Sequence, residues 1–556
     1  MIHQASTIVE ILSRRVDSDG PQPALAFKRE GQFHWVTWGE IAGQVAQTAA
    51  VLVELGIQRG DRVAHVSENR YEWVLADFAI QMAGAIHVPI HAPLTGPQIA
   101  WQVRHSGAKA LLLSGPQQAA KLAAVAHNLA GVSFVSYDPC PEPLAGRPVP
   151  TLGDLAAAAK LERGIDAACQ TRKQLAGEDL ATIIYTSGTT GEPKGVMLTQ
   201  SNLATNTLAT IEAFGLADDD LRLNFLPLSH IFARTCDLYC WLAGGTRMAI
   251  AESRETVIAD CRAIKPTVLN GVPHFYDRVY RGLCEKGLAD TPGALKAALG
   301  GAIRMCCGGG AALPEHLFDF FHARGVPLLQ GYGLTESSPV ITLSSLTAFR
   351  RGASGRPIPG VEVKIAEDGE ILTRGPHVMT GYYENAAATA EVLKDGWLYT
   401  GDLGRLDEDN FLYITGRKKE IIVTLGGKNI APVYLESLLT QDPLILQALV
   451  VGDDRPCLAA LIVPNPEVLA AEISARGIAV ASRDQALTHP EVLARYQERI
   501  RERLKDVSHY EQVQRFALLP RGFTIEEGEM TAKLSLRRKV IEEHFAADIE
   551  SLYRRG

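Results

Sequence analysis

From Trp38 to Leu129 the chain switches between two periodicities, and that switching restricts it to helices laid over a mostly parallel sheet. Trp38–Leu55, Glu72–Ala83, Gln98–His105 and Gln117–Leu129 read as helices. Between them lie short apolar runs, Arg62–Val66, Ala85–Ile90 and Ala110–Leu113, whose near-continuous hydrophobicity suits strands buried on both faces. Residues 138–150 are proline-rich and read as a loop. Open sheets of this kind bind ligands beyond the carboxyl ends of their strands. Candidate functional residues are therefore sought where strands end.

The most informative junction is Ala181–Thr199, ATIIYTSGTTGEPKGVMLT. Ala181–Tyr185 reads as a buried strand, and Val196–Thr199 as a second β-like run. Between them Thr186, Ser187, Gly188, Thr189, Thr190 and Gly191 are all Gly, Ser or Thr, and Lys194 follows. Backbone N–H groups, hydroxyls and one mobile ammonium make a cradle for a polyphosphate. The Walker pattern does not apply, because Lys194 is followed by Gly195 and a strand rather than by Ser/Thr and a helix. On composition alone, a plain surface hairpin is the alternative.

Further junctions follow. Leu221–Leu228 reads as a strand running into Ser229-His230-Ile231-Phe232, which puts His230 at the sheet edge, as a site residue or as a satisfied structural histidine. Ala302–Cys307 reads as a strand ending in Gly308-Gly309-Gly310-Ala311-Ala312, a turn that lets a flat ring approach the backbone or simply turns tightly. Pro327–Gln330 leads into Gly331-Tyr332-Gly333-Leu334-Thr335-Glu336-Ser337. Here Tyr332 offers a flat face for a purine, Thr335 a hydroxyl, and Glu336 a hard oxygen suited to Mg²⁺. From about residue 350 short β runs predict a small β-rich subdomain in the form of a distorted barrel. Asp402 follows an aromatic-rich run and is expected just before a turn. Beyond 416 the pattern becomes α+β, with strands at 445–451, 457–463 and 515–519.

Composition removes some function classes. A chain of 556 residues with 46% hydrophobic residues predicts at least two domains, and a net charge of −8 without a basic stripe argues against nucleic acid as a partner. Nine cysteines with no CxxC pair fit buried thiols in a reducing cytoplasm. The first residues lack a secretory pattern, and no apolar run approaches the roughly 20 residues that span a bilayer. Peripheral contact at the inner face of a membrane stays open, as does the oligomeric state.

The string at 181–199, the GYGLTES segment and the stretch Gly416-Arg417-Lys418-Lys419-Glu420-Ile421-Ile422-Val423 occur in that order, and together they resemble the adenylate-forming (AMP-binding) superfamily over nearly the whole chain. Leu226–Arg234 and RKKEIIVTLGGKNIAP are most similar to long-chain acyl-CoA synthetases. The resemblance implies a large α/β N-terminal domain of helix-covered sheets (1–415, with the β-rich part at about 350–415) and a small mobile α+β domain (416–556). It implies ATP-dependent activation of a fatty acid to acyl-AMP, then thioesterification to coenzyme A, with ATP, Mg²⁺ and coenzyme A as small-molecule partners. It places Thr186–Gly191 and Lys194 on phosphates, with Thr186 and Glu336 at the metal. Gly309, Gly310 and Ala311 fall to the adenine, as do Gln330, Gly331, Tyr332, Gly333 and Thr335 to the nucleotide. His230 falls near the acyl carboxylate, Asp402 and Arg417 on the ribose, Lys419 at the pivot, and Gly427 and Lys428 at the thiol entry.

One departure stands out. The superfamily's C-terminal catalytic lysine lies in a stretch such as LTPTLKLKR. Here the stretch reads Met530-Thr531-Ala532-Lys533-Leu534-Ser535-Leu536-Arg537, so Ser535 takes the lysine's place and Lys533 lies two residues earlier. In an extended segment residues two apart share a face, and the long stem of Lys533 lets it take the catalytic role. The rival readings are an acyl-AMP ligase loading a carrier protein, a catalytically weak ligand-binding relative, and a short-chain or aryl acid ligase.

Overall fold

The computed structural model describes residues 5–158, 161–186, 193–425, 428–524, 526–530 and 536–554. Two large sheets carry residues 23–382. The first has seven strands in the order 381–382, 194–199, 180–186, 86–90, 62–66, 110–113, 133–136. Its last five strands in that order are parallel, and the 180–186/194–199/381–382 edge is antiparallel. Ile86–Ile90 and Ala110–Leu113 are buried at every position, as two-faced burial requires. The second sheet has nine strands, 356–357, 340–343, 328–333, 305–308, 268–271, 221–224, 247–250, 23–29 and 32–37. Both of its ends turn antiparallel.

One continuous apolar core joins the two sheets. It takes Leu25 from the second, Val196 and Leu198 from the first, and Trp38, Trp73, Phe78, Leu203 and Trp241 from helices. Trp38 and Trp241 stack at 4.4 Å, and the Trp241 indole donates to the Ala24 carbonyl at 3.0 Å. Thr37 opens helix Trp38–Glu54 with a capping box to Glu40. Residues 231–244 form one helical run that passes through a π-helical stretch at Arg234–Tyr239.

Several expectations are corrected in detail. Helix Pro116–Leu122 ends earlier than periodicity suggests, leaving a separate 3₁₀ turn at Ala126–Asn128. The strand at 221 stops at Asn224, because the Asn69 side chain takes the backbone groups beyond it: Nδ2 donates to the Leu226 carbonyl at 2.6 Å and Oδ1 accepts from the Leu228 N–H at 2.9 Å. The β-rich part forms an open five-stranded antiparallel sheet rather than a barrel. Trp397–Leu406 is long enough to serve three neighbours, Glu370–Arg374, Leu393–Lys394 and Leu412–Arg417, so the sheet spreads instead of closing. Asp402 consequently lies inside a strand, not before a turn.

From Ile422 onward two apolar clusters are built only from local residues. They surround a three-stranded sheet of 445–451, 458–464 and 513–518, flanked by helices that include Pro432–Leu439, Pro490–Arg503 and Arg538–His544. Lys418 ties the start of this region to the β-rich sheet through Asp368 at 2.6 Å and Glu370 at 2.8 Å.

Candidate active site

Strands Leu180–Thr186 and Lys194–Thr199 form a hairpin in which Thr186 faces Lys194 directly. Ser187, Gly188, Thr189, Thr190 and Gly191 lie outside the described residues, as do Gly427, Lys533 and Ser535. The Lys194 ammonium sits 5.0 Å from the centre of the Tyr382 ring, in range for a cation–π contact. The Tyr382 hydroxyl donates to Glu336 Oε1 at 2.8 Å. Burial, and then the Glu336 carboxylate, push the Tyr382 phenol well up, so it stays a donor.

Glu336 occupies a 3₁₀ turn, Thr335–Ser337, at the end of strand Leu328–Gly333. Ser337 Oγ accepts from the Leu334 N–H at 2.9 Å, and the Glu336 carbonyl accepts from the Met379 N–H at 2.9 Å. Gly333 is required here: a Cβ on it would lie 1.7 Å from the Pro339 carbonyl oxygen. Thr335 is buried, and Gln330 lies beside Gly308 in the parallel ladder.

A second group forms around Asp402. Register sets Asp402 opposite Arg417, whose Nε is 3.1 Å from Oδ1. The Tyr332 hydroxyl donates to Oδ2 at 2.7 Å. Burial holds the Asp402 carboxyl above the usual range, against the pull of Arg417 and Tyr332, and the nearby Glu420 and Glu336 charges add to the rise. Glu336 thus belongs electrostatically to both groups.

His230 caps the helix that starts at Ile231, its Nδ1 accepting from the Phe232 N–H at 3.2 Å. The same loop brings the Phe232 ring against the glycine turn, where a Cβ on Gly309 would lie 2.9 Å from ring carbon Cζ. Gly309 donates to the Gly271 carbonyl at 3.2 Å, and Gly310 has φ +80°. Beside this turn Asp237 accepts from Asn224 at 2.8 Å and Asn270 at 2.7 Å, and burial pushes its carboxyl up to about 6. Asp237, Asn224 and Asn270 escape sequence reading, since none belongs to a recognisable string.

The structure therefore brings together Thr186, Lys194, Glu336, Tyr332, Asp402 and Arg417, and joins the His230 loop to Gly309. Lys428 lies elsewhere, with its ammonium 5.3 Å from the Tyr510 ring. Lys419 sits in the 3₁₀ turn Lys418–Glu420. Tyr382 was hidden in what reads as one more short β run, Gly381-Tyr382-Tyr383.

Tyr382 takes Glu336 Oε1, and Oε2 takes no hydrogen bond among the described residues, which leaves one hard oxygen on this carboxylate. Mg²⁺ draws much of its coordination from phosphates and water and needs one or two protein carboxylates. The donor set fits such an ion.

Comparison with known proteins agrees with this architecture. Residues 12–383 match the AMP-binding enzyme family, and residues 419–556 match the AMP-binding enzyme C-terminal domain. The long-chain-fatty-acid–CoA ligase FadD15 of Mycobacterium bovis is 36% identical over 94% of this chain and 93% of its own. The peroxisomal long chain acyl-CoA synthetase 7 of Arabidopsis thaliana is 29% identical, over 99% of this chain and 85% of its own. The crystal structure of the anthranilate CoA ligase AuaEII with anthranoyl-AMP superimposes with a TM-score of 0.78 over 98% of both chains at 21% identity, a likeness of fold. With both family matches in chain order and the motif residues gathered at one place, the chain belongs to the AMP-binding enzyme family.

Proposed function

We propose that the protein is an acid–thiol ligase that activates a long-chain fatty acid with ATP and passes the acyl group to coenzyme A. The observation that carries the reading is the contiguity of the Lys194–Tyr382–Glu336 and Tyr332–Asp402–Arg417 groups. One cluster pairs an ammonium for a polyphosphate with a carboxylate for its metal ion, and the other holds a buried carboxylate suited to a ribose diol.

In the first step a fatty-acid carboxylate oxygen attacks the α-phosphorus, the bond to the bridging β-oxygen breaks, and pyrophosphate leaves. Both reactants are anions, so positioning and charge neutralisation dominate the barrier. Thr186 and Lys194 supply donors, and Asp402 and Arg417 fix the ribose. His230 and Phe232 line the approach of the acid beside Gly309. Glu336 and Thr186 would hold magnesium, which would supply positive charge to the phosphates. In the second step the coenzyme A thiolate attacks the acyl carbon, the acyl–oxygen bond to AMP breaks, and the thiol proton goes to solvent.

The chain divides near residue 416 into a large domain and a small one that pivots at Lys419, with Lys418 as the latch to Asp368 and Glu370. Lys533 acts in the first step. Its support is spacing: in an extended segment Lys533 shares a face with Ser535, and its long stem reaches from there. A cytoplasmic site of action suits the free cysteines, and among the described residues no helix is long and apolar enough to cross a membrane.

The test is pyrophosphate release with ATP and fatty acids of graded length, followed by mass detection of acyl-CoA. Acyl-CoA formed best with long chains is the expected result. Acyl-AMP without acyl-CoA would assign the protein to carrier loading, best turnover of short or aryl acids would overturn the substrate class, and no pyrophosphate with any acid would leave a ligand-binding role.

A further inference from the structure

Segment 376–383 is braced from four directions. Asn202 Nδ2 donates to the Pro376 carbonyl at 2.7 Å and to the Val378 carbonyl at 2.9 Å. Ser338 Oγ donates to the His377 carbonyl at 2.8 Å. The Met379 N–H holds the Glu336 carbonyl at 2.9 Å, and the Tyr383 N–H reaches the Gly195 carbonyl at 2.7 Å. Gly381 and Tyr382 then add a strand beside Met197 and Val196. The Tyr382 N–H donates to Thr389 Oγ1 at 2.9 Å, and Gly381, at φ +146°, has that threonine so close that a Cβ would lie 2.8 Å from it. One short segment therefore fixes both the hairpin that carries Lys194 and the turn that carries Glu336.

At its centre the Tyr382 side chain repeats this linkage. It is 8% exposed, so water competes little for its hydroxyl. Its two polar faces point to different partners: the ring to the Lys194 ammonium, the hydroxyl to Glu336 Oε1. The hydroxyl occupies one carboxylate oxygen and so sets the direction of the other. The ring attracts the ammonium without neutralising it, which a carboxylate in its place would do.

We propose that Tyr382 is a positioning residue of the adenylation site, spacing the Lys194 ammonium from the free oxygen of Glu336 so that both meet the same triphosphate. This rests on the reading that Glu336 and Lys194 engage magnesium–ATP. Tyr382 itself touches neither phosphate nor metal. An ordinary core tyrosine would contribute packing alone, and that difference is measurable.

The test is calorimetric titration of Mg²⁺ into the full chain with a non-hydrolysable ATP analogue, beside AMP titration without metal and thermal unfolding. Tyr382→Phe keeps ring and volume and removes one hydrogen bond to a charged group, so the Mg²⁺ concentration at half-saturation is expected to rise about tenfold, with AMP affinity unchanged. Glu336→Gln is expected to raise it about a hundredfold. The double variant is expected to match Glu336→Gln alone, because the hydroxyl acts only through that carboxylate. Equal Mg²⁺ requirement in Tyr382→Phe and the parent, or additive effects in the double variant, overturns the proposal while leaving the Glu336 reading intact. If Glu336→Gln itself leaves the requirement unchanged, the underlying reading fails and this proposal with it. Should Tyr382→Phe prove unstable, its unfolding curve sets a temperature at which it is folded, and the Mg²⁺ titrations of it and the parent are made there.

Discussion

Asp402→Asn separates nucleotide recognition from folding more cleanly than any other substitution in the site. Asp402 is 5% exposed, with Tyr332 donating to one carboxylate oxygen and the Arg417 guanidinium ion-paired with the other. Asparagine keeps an acceptor for Arg417 and presents its amide N–H₂ to Tyr332, whose hydroxyl rotates from donor to acceptor. No buried polar group is orphaned. Arg417, with 54% of its side chain exposed, is resolvated by water as its anion disappears. Burial already penalises the Asp402 charge, so its removal returns part of what the lost ion pair costs. The expected stability change is below about 1 kcal/mol, a Tm shift of at most about 2–4 °C. ATP loses more. In the proposed placement the carboxylate offers charged acceptors to the ribose diol, and the amide forfeits about one such bond, roughly 1.5–3 kcal/mol. At 1.4 kcal/mol per decade, the KM for ATP rises about 10- to 150-fold, while the KM for the fatty acid stays within about twofold. ATP titrations of pyrophosphate release alongside differential scanning calorimetry check this. An unchanged KM for ATP with an intact Tm would refute the placement of the ribose at Asp402.

Three further outcomes follow from the same geometry. Lys533→Ala is expected to reduce acyl-AMP formation by about a hundred- to a thousandfold, with Ser535→Ala near the parent rate; single-turnover adenylation assays decide, and the reverse pattern removes Lys533 from the reaction. Gly333→Ala forces a Cβ to within 1.7 Å of the Pro339 carbonyl oxygen; displacement of the Glu336 turn should abolish pyrophosphate release while far-UV circular dichroism stays unchanged. His377 is pushed down to about 4 by burial, against about 6.5 in the unfolded chain. The unfolded state therefore takes up a proton before the native state does, so the His377 contribution is complete above pH 6.5 and is lost as pH falls to 4. The loss is roughly 3 kcal/mol, and His377→Asn should shrink the fall in urea midpoint between pH 7 and 4.5.

What was legible in the sequence was local. Strands such as Ile86–Ile90 and the hairpin arms around Lys194 announce themselves in a few consecutive residues, because burial on both faces demands unbroken apolar runs. Other features depend on register between distant segments, and nothing local encodes that. The hairpin 23–37 extends the second sheet because Leu25 pairs with Met248. Tyr382 meets the site because it pairs with Val196. Asp402 reads as preceding a turn, yet it lies mid-strand, where the ladder sets it opposite Arg417. Lys533 and Ser535 lie outside the described residues, so their ranking still rests on spacing.

The placement of charge suggests why the site draws on so many segments. Glu336 and Asp402 sense each other, and Glu336 adds to the rise of the Asp402 carboxyl. In the proposed site, two acids left to move beside a triphosphate and a fatty-acid anion would repel both substrates. Glu336 is instead held at one oxygen by Tyr382, and Asp402 at one oxygen by Tyr332 and at the other by the Arg417 charge. Phenols do this without adding charge, which leaves the Lys194 ammonium unneutralised at the ring of Tyr382. Fixing acids with tyrosines and phosphates with one lysine is a task no single loop performs. It needs the antiparallel edge of one sheet, the turn that ends a strand of another and the mid-strand ladder of a third.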